Sequence, residues 1–88
     1  MFERIKAWRQ ERRDKGAAAG RACQTFRATR GIDPMGAHVL RHEPQQTIVR
    51  VMYYAGHIPP ARAWYAVSAD EVREVSYDEV AHLEGPWR

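Results

Sequence analysis

Thr47-Ile48-Val49-Arg50-Val51-Met52-Tyr53-Tyr54 is the stretch that decides the fold. It is β-branched and aromatic almost throughout, so it reads as a strand. Strand side chains alternate between two faces. One face then holds Val49, Val51 and Tyr53; the other holds Ile48, Arg50, Met52 and Tyr54. Only the second carries a charge, and an unpaired buried guanidinium is costly. The valine side is therefore expected to meet a helix and the arginine side to turn outward.

The flanks extend this pattern in both directions. Downstream, Ala55 to Pro60 reads as a loop, Ala63 to Ser68 as a second strand, and Ala69-Asp70-Glu71 as a turn before a short strand, Val72 to Val75. Ser76 and Glu79 have capping-box spacing, which predicts a short helix from Tyr77 to Leu83, ended by Gly85-Pro86. Trp87 is free to fold back onto the core or to stay loose. Upstream, Pro44-Gln45-Gln46 is a turn and Ala37 to Glu43 alternates weakly. Residues 17–30 place Ala19, Ala22, Cys23 and Phe26 on one helical face. Gly31 suits a helix C-cap, with Ile32 as the apolar contact of a Schellman motif and Asp33-Pro34 as the stop. Residues 2–15 read as helix, with Phe2, Ile5 and Trp8 as a short apolar stripe that fails at Arg9, Arg12 and Arg13. Gly16 is placed to end that helix, so one helix or two remain open. The expected fold is α+β: one or two N-terminal helices packed on a three- to four-stranded antiparallel sheet, then a short C-terminal helix. Residues 1–16 form a basic helical arm and residues 17–88 a single α+β domain.

Helix followed by meander, carried by Val49-Arg-Val-Met-Tyr-Tyr54, the Pro59-Pro60 loop and Ala63-Trp-Tyr-Ala-Val67, resembles the cystatin-like domains, including small NTF2-like members. The likeness covers about residues 17–76 and lies in element order. The Gln-Val-Gly-type inhibitory loop of cystatins is absent, so protease inhibition is not carried over. The resemblance implies the features common among NTF2-like domains, dimerisation through the sheet and a pocket between helix and sheet.

Eighty-eight residues fit one domain, and 44% hydrophobic with 28% charged residues is an ordinary globular composition. Cys23 is the single cysteine, so no intramolecular disulfide forms, which favours a reducing, cytoplasmic setting. No apolar run reaches the length needed to span a bilayer, and the N-terminus lacks the apolar core of a secretory signal. The charge is uneven. Residues 1–30 hold nine cations against three carboxylates, and residues 31–88 hold five arginines against eight carboxylates. Such asymmetry points to an anionic partner for the basic part, or to contact between oppositely charged parts.

Three functional readings follow. The first is a small non-enzymatic module that contacts itself or another protein through Ile48, Arg50, Met52, Tyr54 and Trp64, an apolar and aromatic sheet face that a monomer rarely leaves wet. The competing expectation is that the C-terminal helix or Trp87 covers this face. The second is nucleic-acid binding by Arg4, Arg9, Arg12, Arg13 and Lys15 with Trp8. The third is a small-molecule binder or enzyme of NTF2-like type, with a pocket lined by Phe26, Tyr53 and Tyr65.

Motif chemistry adds little. Gly16-Ala-Ala-Ala-Gly20-Arg21 lacks the Lys-Ser/Thr of a phosphate loop and follows no strand. His38 and His42 lie four apart in a segment read as strand, about 13 Å at strand rise and too far for one metal, so no metal or cofactor is expected. Cys23 sits among apolar neighbours, as a structural thiol does. Asp70-Glu71 and Asp78-Glu79 fall at a turn and a helix start, and no catalytic set assembles.

Overall fold

The computed structural model describes residues 2–84 and the side chains of residues 6–84. Trp87 and the Gly85-Pro86 stop lie outside the described residues. The chain runs α1 (Phe2–Arg30), β1 (Gly36–His42), β2 (Thr47–Tyr53), β3 (Ala61–Val67), β4 (Val72–Val75) and α2 (Tyr77–Glu84). The four strands form one antiparallel sheet in the order β1-β2-β3-β4. The fold is α+β, as the period change along the sequence implies.

Gly16 does not end a helix: α1 is one continuous 29-residue helix through Gly16 and Gly20. A helical glycine costs about 1 kcal/mol relative to alanine, too little to stop a helix that continues into Ala17-Ala18-Ala19. The true stop is Gly31: its N–H donates to the Arg27 carbonyl at 2.8 Å, and its φ of 70° then turns the chain out of the helix. This is a single 5→1 cap rather than the expected Schellman pair. Ile32 is accordingly 44% exposed.

The valine side of β2 meets α1 as expected, but the arginine side does not turn outward, because α2 lies over it. Val49 and Val51 are fully buried with Ala18, Ala22, Phe26, Ala63, Tyr65 and Val67, between α1 and the sheet. Ile48 lies on the opposite side in a second core with Ala66, Val75 and Val80, under α2. The sheet is therefore the middle of three layers. β3 starts at Ala61, two residues earlier than its apolar stretch suggests, because Arg62 continues the pairing opposite Met52.

α1 is much longer than the sheet is deep. Twenty-nine residues rise about 43 Å, whereas a seven-residue strand spans about 23 Å. Ala18 is the first buried residue along α1, and Lys6 to Asp14 are all exposed. The first half of the helix overhangs the sheet. The radius of gyration, 14.0 Å, accordingly exceeds the ~12 Å of a compact chain of this length.

Candidate functional site

The overhanging half of α1 presents its charges in an ordered way. Lys6, Arg9 and Arg13 recur at i, i+3 and i+7, and with Gln10 they line a shallow groove on one helix face. The carboxylates of the same segment are occupied locally. Glu11 pairs with Lys15 at 3.2 Å, and Asp14 accepts a hydrogen bond from Gln10 Nε2 at 2.9 Å. Among the described side chains, which begin at Lys6, no carboxylate lies within ion-pair distance of Lys6, Arg9 or Arg13. Arg12 stacks on the Trp8 indole, 4.8 Å from its centroid, and Trp8 stays 56% exposed. Of the expected basic set, Arg9, Arg12 and Arg13 are thus displayed to solvent, while Lys15 is half-buried and paired. Arg4 lies in the helix, its side chain outside the described residues.

The five residues of the expected sheet interface fare differently. α2 lies across that face. Ile48 is buried in the second core, and Trp64 is half-buried with its ring 5.5 Å from that of Tyr77. Arg50 donates from Nη1 to Glu84 Oε2 at 3.0 Å, and Trp64 Nε1 donates to Glu84 Oε1 at 2.9 Å. The Glu84 side chain is fully buried. The cover is thus the C-terminal helix, the competing expectation. Met52 remains half-buried, and Tyr54, just past the end of β2, is 60% exposed. Arg62 joins the same layer. Burial holds its guanidinium below the usual arginine range, the like charge of Arg50 adds to that, and Glu84 opposes it. Glu84 escaped the sequence reading. Its one signal was a carboxylate in the last turn of a helix, where the dipole disfavours negative charge.

The residues of the expected pocket fill the core instead. Phe26 is fully buried, Tyr65 is almost so, and the Phe26 and Tyr53 rings meet at 4.9 Å. Arg30 closes that end. It donates to Tyr53 Oη at 3.1 Å and to Glu74 Oε1 at 2.6 Å, lying over both the Phe26 and Tyr53 rings. The Glu74 hydrogen bond holds the Arg30 pKa above its ordinary value, against burial, which lowers it. A separate cleft of about 280 Å³ opens where α1 leaves the sheet, lined by Asp14, Ala18, Arg21, His42, Thr47 and Ser68 among others. Its principal polar groups are engaged within the chain. Arg21 Nη1 donates to the Ser68 carbonyl, and His42 Nδ1 shares a hydrogen bond with Thr47 Oγ1 at 2.8 Å.

His38 and His42 both sit on β1, and no group of three or more candidate ligands for a metal gathers among the described residues. Cys23 is half-buried against the α1-side core. No described helix is long and apolar enough to cross a membrane. No protein-family model, curated protein or solved structure matches the chain.

Proposed function

We propose that the protein is a small non-enzymatic binding module that engages nucleic acid through the overhanging half of α1. The supporting observation is the cationic stripe Lys6, Arg9 and Arg13 on an exposed helix segment, with no ion-pair partner and no packing element among the described side chains. A helix held clear of its domain presents cations at regular spacing, and phosphate contacts need little else. Arginine suits the task because its planar fork matches phosphate oxygens. The exposed indole of Trp8 adds a surface on which an unpaired base stacks. The alternative anionic surface, a membrane, asks for a longer apolar helix face than Phe2, Ile5 and Trp8 supply. The single Cys23 suits a reducing, cytoplasmic setting. The helix-then-meander order is consistent with a cystatin-like architecture, and it carries no function by itself.

The test is fluorescence anisotropy with labelled single-stranded and duplex oligonucleotides over a salt series beginning near 50 mM, where counterion release helps binding most. Binding that weakens linearly in log salt, with a shallower slope for Arg9→Ala/Arg13→Ala, supports the reading. No binding of either oligonucleotide at the lowest salt ends it.

A further inference from the structure

The sheet has two edges, and they differ. β4 is four residues long, two of them charged, and its Glu74 is tied to Arg30. β1 is seven residues long, with no proline or lysine to blunt it. No strand among the described residues pairs with its outer side.

The hydrogen-bond parity shows which groups face outward. Glu43 and Gln46 exchange backbone bonds in both directions, at 2.9 and 3.3 Å, so they form a hydrogen-bonded pair. Alternation then makes Arg41 and Ile48 a bonded pair. The hairpin joining β3 to β4 gives the same parity independently. The Ser68 N–H donates to the Glu71 carbonyl, which aims Val67, Tyr65 and Ala63 at β2 and therefore Ile48, Arg50 and Met52 at β1. Arg50 and Met52 are paired with His38 and Gly36. The N–H and C=O groups of Ala37 and Val39, the residues between and beyond, point away from the sheet.

We propose that two copies of this chain pair edge to edge through β1, antiparallel, in a two-fold dimer with one continuous eight-stranded sheet. A register centred on His38 sets Ala37 of each copy opposite Val39 of the other and uses all the outward groups of both residues, making four backbone hydrogen bonds. It sets Gly36 opposite Leu40 and brings no arginine or carboxylate against its like. Side-chain burial favours the same occupant. Val39 packs partly against the α1-side core and Leu40 partly against the α2-side core, both half-buried. A second β1 continues both layers across the axis. The register shift between Val39 and Arg41 confines the pairing to the first part of the strand. The dyad stands perpendicular to the sheet, so both α1 helices share one face and their arms point in opposite directions. This holds whether or not the arms bind nucleic acid.

The test is sedimentation velocity on the full chain over a concentration series at about pH 8, where imidazoles are neutral. The expected result is a shift from the 10.2 kDa monomer to twice that mass. Ala37→Pro removes an outward N–H and leaves the β1–β2 bonds intact, so it stays monomeric with an unchanged circular-dichroism spectrum. Hydrogen exchange on the unmodified chain provides the second readout. The Ala37 and Val39 amides gain protection with concentration, and the His38 amide, bonded to β2, is protected throughout. A monomer at every concentration overturns the proposal, as does dimerisation with the Ala37 and Val39 amides still exchanging freely.

Discussion

Glu84 Oε2 lies 3.0 Å from Arg50 Nη1, across the gap between the last turn of α2 and the outer face of β2. The other oxygen of the same carboxylate accepts from Trp64. An eight-residue helix is too short to persist by its own hydrogen bonds, so its tertiary contacts keep it formed.

Glu84→Ala leaves Arg50 and Trp64 without that acceptor and should destabilise the fold by about 2–3 kcal/mol. This is below the ~3–5 kcal/mol of a fully buried pair because Arg50 keeps a fifth of its side-chain exposure. Urea denaturation measures the loss. Faster exchange of the α2 amides than of the β2 amides localises it to the docked helix.

Gly16 and Gly20 face open space, with nothing within 4 Å of where a Cβ would sit at either position, and neither has a positive φ. Gly16→Ala and Gly20→Ala should each stabilise the helix by up to about 1 kcal/mol without a clash. Increased helical ellipticity and a higher urea midpoint check this. A loss of stability would show that the glycines serve a bend.

Tyr65 is buried, and its hydroxyl makes no well-aligned hydrogen bond among the described residues, although the Arg30 and Thr29 side chains lie near enough to interact with it. Burial pushes the phenol above its ordinary 10.0, with the Glu74 carboxylate adding to the rise and Arg30 and Thr29 opposing it. A phenol raised on folding stabilises the native state while it stays protonated. That contribution is present below about pH 10 and is lost as pH climbs through the raised value. Tyr65→Phe should change stability at pH 7 by no more than about 1 kcal/mol and remove part of the alkaline destabilisation. Thermal melts between neutral pH and pH 11 or so compare the two chains.

Met52 lies opposite Arg62 on the α2 side of the sheet, so a carboxylate at this position gains a guanidinium neighbour. Met52→Glu should leave both the fold and the β1-edge association unaltered. Dissociation of the dimer by this substitution would move the contact to the outer sheet face around Met52 and Tyr54.

The basic arm gives a graded expectation. Removing Arg9 and Arg13 together should reduce the slope of log K against log salt by roughly 1.4–1.8, since each phosphate contact contributes about 0.7–0.9. Gln10→Ala, in the same groove and uncharged, should leave the slope unchanged.

Local chemistry made much of this protein legible in the residues themselves. Alternation along Thr47 to Tyr53 separated the valine side from the arginine side, because a strand has only two faces and only one tolerates a charge without a partner. Gly31 marked the end of α1 because the cap needs a positive φ. The basic character of the arm was plain from composition, but not its face: Lys6 joins Arg9 and Arg13 there, while Lys15 pairs with Glu11 and Arg12 lies over Trp8. Other features depended on residues distant in sequence. Gly16 lay within helix because Ala18, Ala22 and Phe26 have a sheet to pack on. Arg50 found its carboxylate thirty-four positions away, and that encounter, absent from any local pattern, turned an expected open face into an interior layer. The outer edge of β1 belongs to the same class, since strand order decides which backbone groups pair among the described residues and only the assembled sheet has an order.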